Sequence, residues 1–265
     1  MKIGFIGCGN MGGALVKAAS KSVDAGDIYV YDRFSEKADA LQNSLGVISS
    51  GEEKIISDAK YIFLGVKPQV LEEAIGEIKD KLKGRKERFV IVSMAAGVKI
   101  STIISFFGFE LPVIRIMPNT PVSVGEGMIL YTANNLVSDK EKEEFMKILS
   151  SAGKLDYLPE NLIDAGCALS GCGPAFVDLF AEALSDAGVK CGLPRDKALL
   201  YAAQTVLGAS KLMIETKTHP AVLKDAVCSP GGSTIAGVHS LEMNGFRGDV
   251  MDAVYAAFEK TKKLG

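Results

Sequence analysis

MKIGFIGCGNMGGALVKAAS, residues 1–20, starts with a short apolar run, crosses a turn of spaced glycines and passes directly into a helical pattern. Gly7, Gly9 and Gly12, with Asn10 and Met11 before the last of them, stand in the GxGxxG spacing. A second β-rich run, DIYVYD at 27–32, ends on Asp32, twenty residues past Gly12. In this context Gly7 permits a tight turn, Gly9 lets the backbone approach a pyrophosphate, and Gly12 lets helix and strand pack closely. The helix N-terminus then faces the anion. A strand, a glycine turn, a helix and a strand closing on an acid predict a dinucleotide-binding βαβ unit.

Further along, YIFLGV at 61–66, FVIVS at 89–93 and VIRIM at 113–117 alternate with helical patterns, and their unbroken apolar character fits strands covered on both faces. MILYTA at 128–133 and KLDYL at 154–158 flank a helix over SDKEKEEFMKILSSAG, with Ser138 or Asp139 as cap and Gly153 as stop. The expected fold class is α/β. A Rossmann-type parallel-sheet domain occupies 1–158, and an all-helical domain follows over 159–265. In the second, a long helix breaks or kinks near Gly171–Pro174, and another runs over 194–215 with Pro194 in its first turn. The middle of the latter, ALLYAAQTVLGA, is apolar or small nearly all round. Such a helix needs cover on every side, which points to a partner subunit.

Composition narrows the function. Among 265 residues, 30 are Lys or Arg and 32 Asp or Glu, a net charge of -2 that offers no footprint for nucleic acid or an anionic membrane. No charge-free apolar run reaches eighteen residues, which argues against a membrane span, and the start lacks the pattern of a secretory signal. Five cysteines without a CxxC pair suggest reduced thiols, a cytoplasmic setting and no metal site.

Cofactor type is ambiguous in YDRFSEK: Asp32 suits a ribose 2′-hydroxyl and NAD, whereas Arg33, with Lys37, suits a 2′-phosphate and NADP. Two loops after later strands should border the same crevice. GVKPQ presents Val66, Lys67 and Pro68, and RIMPNTP presents Met117, Pro118 and Asn119. Their prolines hold the chain extended, so that backbone groups and amides face a flat ligand.

With IGCGNMG, GVKPQ, RIMPNTP, ALSGCGPAF at 168–176 and SPGGSTIAGVHSLE at 229–242, the chain resembles the pyrroline-5-carboxylate reductase family over its whole length. The resemblance implies reduction of a cyclic imine to proline, a homodimer built by interleaved helices, and assembly into a larger homo-oligomer. It implies NAD(P)H as the hydride donor; NADPH is the expected preference, with NADH the alternative. It also implies that the turn of Ser229, Gly231, Gly232, Ser233 and Thr234 holds the substrate carboxylate, with Thr234 beside the substrate nitrogen as the catalytic candidate. Free backbone N–H groups and the dipole of a helix from about Ile235 fit an anion there; a simple Ser or Thr helix cap would fit the same string. Cys172 stands where relatives often have alanine or a small hydroxyl residue. A protonated imine is already electrophilic and needs positioning more than acid catalysis, in keeping with only two histidines. Hydroxyacid dehydrogenases of similar plan use an inter-domain lysine, absent between Asn161 and Val189. A non-catalytic nucleotide sensor would leave the SPGGST turn unexplained.

Overall fold

The structure, a computed structural model, describes residues 1–263; the last two positions of the expected second domain lie outside them. Eight strands form one sheet in the order β3-β2-β1-β4-β5-β6-β7-β8. They are β1 (Ile3–Ile6), β2 (Ile28–Tyr31), β3 (Ile48–Ser49), β4 (Tyr61–Leu64), β5 (Val90–Ser93), β6 (Val113–Met117), β7 (Gly127–Ala133) and β8 (Gly153–Tyr157). All pairings are parallel except β6 with β7. The expected parallel sheet takes one antiparallel step at that point for want of chain: the nine residues from 118 to 126 hold one 3₁₀ turn, too little for a helical crossover, so the strand returns antiparallel. Strand order reverses across β1, where chain from β1 leads to β2 on one side and β4 lies on the other. That is the switch point outside which ligands bind in open α/β sheets.

Helices α1 (Asn10–Ala19), α2 (Ser35–Leu45), α3 (Glu52–Asp58), α4 (Leu71–Lys83), α5 (Ile100–Phe107) and α6 (Asp139–Ile148) cover the sheet. Side chains alternate between two cores: Phe5 and Phe63 stack at 4.3 Å in the one that includes Leu15 and Phe145, while Ile62 and Leu64 enter the one with Ile75 and Ile103. In α4, Leu71, Ile75, Ile78 and Leu82 form the buried stripe, with Glu72 and Glu73 in the first turn and Lys81 and Lys83 in the last. Helix α6 is capped by Ser138 and ends at Ile148, before Gly153, which opens β8 instead.

The remaining helices are α7 (Ile163–Gly166), α8 (Gly173–Lys190), α9 (Arg195–Thr216), α10 (Pro220–Ala226), α11 (Ser233–Met243) and α12 (Phe246–Thr261). The break expected near Gly171–Pro174 is a π turn over Cys167–Gly171, where the Cys172 N–H donates to the Cys167 carbonyl at 3.1 Å. Pro194 caps α9 and does not enter its first turn.

Met1–Cys172 with residues 257–263 forms one compact unit, and Gly173–Ala256 a second. The division falls past 158/159 because residues 160–170 are tied to the sheet. Arg115 on β6, only 2% exposed, donates to Asp164 at 2.9 Å and to Glu160 at 3.5 Å, and Glu160 accepts the Ile100 N–H at 2.7 Å. In the second unit α8 and α9 pack along each other, Phe180 meets Phe246 at 5.8 Å, and Arg195 pairs with Asp186. The unit's fully buried residues are Ser185, Ala198 and Ala202 alone. By length and composition alone the helical stretch Glu160–Lys190 is apolar enough to cross a membrane, although its acids keep every charge-free run in it below eighteen residues.

Candidate active site

The glycine turn takes its form from close backbone packing. Gly7 lies at φ +99°, a conformation that side chains disfavour, and its N–H donates to the Tyr31 carbonyl at 2.8 Å. A Cβ on Gly12 would collide with the Gly7 carbonyl oxygen, so helix α1 can begin this close to β1 only with glycine there. Gly65, after β4, approaches the same turn and donates its N–H to Ile6 at 2.7 Å. By contrast a Cβ on Gly9 would meet nothing within 4 Å. No side chain caps α1 and no acid sits in its first turn, which leaves its N-terminal N–H groups able to face an anion.

A cavity of about 350 Å³ opens beside the turn. It gathers Gly7, Gly9, Asp32, Arg33, Val66 and Lys67 of the expected site, together with Lys37. The open space above Gly9, the uncapped helix and this cavity fit the pyrophosphate and adenosine end of a dinucleotide. Asn10, Met11 and Gly12 lie on α1 outside the cavity lining; Pro68 opens a 3₁₀ turn on another cavity, of about 580 Å³. The extended backbone expected at Pro68 is therefore confined to Lys67, at ψ 149°.

Asp32 is more occupied than its place in the motif suggested. One oxygen accepts the Cys8 N–H at 2.7 Å and the other the Phe34 N–H at 3.0 Å. Burial, and then the Asp32 charge, push the Cys8 thiol up to about 12, so it stays neutral. Phe34 lines the cavity and is 62% exposed, a flat apolar surface that sequence reading passed over although it follows Arg33 directly. Gly65 was likewise missed; only the parallel pairing of β1 with β4 reveals it.

Met117, Pro118 and Asn119 stand at the end of β6, away from that cavity's lining. The Asn119 amide does not present itself to a ligand. Its nitrogen donates to the Ser170 carbonyl at 2.9 Å and its oxygen accepts the Met128 N–H at 2.8 Å. A Cβ on Gly171 would lie 3.3 Å from the Met117 methyl. The motifs RIMPNTP and ALSGCGPAF, fifty residues apart, thus form one joint.

In the helical unit, Ser229–Gly232 makes a turn closed by the Gly232 N–H on the Ser229 carbonyl at 3.0 Å, with Gly231 at φ +68°. Helix α11 starts at Ser233, two residues before the expected onset, and Gly232 is its cap. Neither Ser233 nor Thr234 caps it with a side chain, and its first turn holds no acid. The plain Ser or Thr cap is therefore not what this string builds. Ser229, Ser233 and Thr234 are all exposed, while His219 caps α10 by accepting the Ala221 N–H at 3.2 Å.

Comparison with known proteins agrees with both halves. Residues 160–264 match the family model described as pyrroline-5-carboxylate reductase dimerisation, and residues 2–97 match that of NADP oxidoreductase coenzyme F420-dependent. The chain is 40% identical to pyrroline-5-carboxylate reductase of Escherichia coli over 99% of its own length and 98% of that protein's. It is 38% identical to the Arabidopsis thaliana protein of that name, over 99% and 95%. The crystal structure of Plasmodium falciparum pyrroline carboxylate reductase with NADP bound superposes with TM-score 0.89 at 34% identity, covering 100% of this chain and 98% of that one. A pyrroline-5-carboxylate reductase structure from Coxiella burnetii gives TM-score 0.91 at 33%, with the same coverage.

Proposed function

The chain belongs to the pyrroline-5-carboxylate reductase family, and from that premise we propose that it transfers a hydride from NAD(P)H to the C=N bond of 1-pyrroline-5-carboxylate, giving L-proline, with NADPH the preferred donor. The observation that carries the substrate reading is the start of α11: a glycine turn delivering an uncapped helix N-terminus with no acid in its first turn. That arrangement supplies several convergent N–H donors and a positive dipole end to a carboxylate. Ser229 and Ser233 add hydroxyls, and Gly231 and Gly232 let the backbone reach the anion.

Gly7, Gly9 and the α1 N-terminus hold the pyrophosphate, with Asn10, Met11 and Gly12 forming the first turn behind it. Asp32, Arg33, Val66 and Lys67 shape the adenosine side, with Pro68 turning the chain away after them, and Met117, Pro118 and the Asn119 backbone shape the nicotinamide side. Nicotinamide, when bound in its reduced form, supplies the hydride. The Thr234 hydroxyl accepts a hydrogen bond from the protonated imine nitrogen and orients it. As hydride adds to the ring carbon, the C=N π pair becomes the nitrogen lone pair, giving the secondary amine directly from the iminium. The proton that forms the iminium comes from water, since a hydroxyl is too weak an acid.

The reading includes a homo-oligomer, beginning with a dimer through the helical unit, and a cytoplasmic setting. The scarcity of buried residues in Gly173–Ala256 and the dimerisation match support the first; five free cysteines fit the second.

The test is NADPH and NADH oxidation by the purified protein, with and without pyrroline-5-carboxylate, followed by absorbance. Imine-dependent oxidation is expected, faster with NADPH; cofactor binding without imine-dependent oxidation would overturn the substrate. Thr234→Ala should lower kcat/KM about tenfold or more, and unchanged kinetics would remove Thr234 from the mechanism.

A further inference from the structure

Around the end of β2 the dinucleotide cavity sets Arg33 and Lys37 among Glu52, Glu73 and Glu77. Asp32 accepts one backbone N–H on each oxygen, serving as a strut beneath the glycine turn while it lines the cavity. Lys37 leans toward Asp32 at 3.8 Å and lies 5.1 Å from the Phe34 ring. Arg33, next to Asp32 at the end of β2, pairs with Glu73 at 3.7 Å and is 77% exposed, so it can turn to a ligand. Glu73 cannot easily follow it away, because it is carried on the first turn of α4, pinned on either side by the buried Leu71 and Ile75. Negative charge is crowded in this corner: burial, and then the charge of Glu77, push the Glu52 carboxyl above its usual range.

We propose that Glu73 tempers the preference for NADPH, opposing a 2′-phosphate both by holding Arg33 and by its own charge, while leaving a 2′-hydroxyl nearly unaffected. The proposal rests on the reading that this cavity receives the adenosine end of NAD(P)H. A phosphate monoester carries between one and two negative charges at neutral pH. To bind it, Arg33 must swing from Glu73, and the phosphate must still lie near that carboxylate. Exposed ion pairs are weak, so Arg33 leaves at small cost, and Glu73 moderates the preference without abolishing it.

The experiment is a fluorescence titration of the full-length protein with NADPH and with NADH, without imine, at low and high salt. Glu73→Gln should shift the ratio of the two Kd values toward NADPH by about three- to tenfold at low salt, with the shift shrinking as salt screens the charges. In the Arg33→Ala background the same substitution should give a smaller shift, since part of its effect runs through Arg33. An unchanged ratio in Glu73→Gln overturns the proposal. Arg33→Ala alone should weaken NADPH selectively. If it does so while Glu73→Gln does nothing, only the role of Glu73 is lost. If Arg33→Ala affects neither cofactor, the placement of the adenosine end fails and the proposal falls with it.

Discussion

Gly9 and Gly12 share one turn yet should respond to an added side chain in opposite ways. Gly9 has ordinary extended torsions, φ −66° and ψ −170°, and open space around its missing Cβ. Gly9→Val should therefore leave stability within about 0.5 kcal/mol and abolish NADPH binding, the two read by denaturant melts and fluorescence titration. Gly12→Ala drives a methyl into the Gly7 carbonyl and should cost about 2 kcal/mol or more. Equal destabilisation by both would mean the turn is not packed as described. The glycine spacing made this turn legible from sequence. The commitments of Asp32 and Asn119 were not, because the partners of a carboxylate or an amide depend on which backbone N–H groups the fold brings near, and no local pattern encodes them.

Helix α6 shows how an element can be locked by a single carboxylate. Glu141 accepts the Ser138 N–H and hydroxyl at 2.8 Å each, and Arg88 binds it in bidentate fashion at 2.8 and 3.0 Å. The Arg88 guanidinium holds its carboxyl down to about 2, below the ordinary 4.5. A carboxyl depressed in the folded state stabilises above its unfolded value, so this contribution is present at neutral pH and is lost as pH falls from near 4.5 toward 2. Glu141→Gln should cost about 1–3 kcal/mol at pH 7 and flatten the acid limb of the stability curve between those values. Denaturant melts across pH 2–7 check this, and parallel curves for the two proteins would refute it. The capping string was readable here, and so were the strands that run apolar for four or more residues. Ile48–Ser49 was too short to announce itself, and the reversal of β7 depends on connection length, which apolar runs alone do not convey.

At the scale of the whole molecule, the helical unit has little interior of its own. Leu199, Leu200 and Leu207 of α9 are each more than half exposed, as are Met243 and Met251. Apolar surface on this scale marks association, and in the proposed homodimer a second copy covers it. Leu207→Asp should shift the protein toward monomer in light scattering and weaken it to heat in a concentration-dependent way; an unchanged mass would place the interface elsewhere. The need for a partner was visible in ALLYAAQTVLGA, whereas the reach of the first compact unit to Cys172 was not, because Arg115, Glu160 and Asp164 join across forty-five or more residues of sequence.

The return of the chain from Ala257 to the first unit bears on how the protein is made. The sheet is translated first, but residues belonging to its unit emerge from the ribosome only after all of Gly173–Ala256. With Thr261 buried in the finished fold, the nascent sheet must wait, nearly complete, through the synthesis of an apolar helical segment. During that interval it is exposed to chaperones and to neighbouring nascent chains.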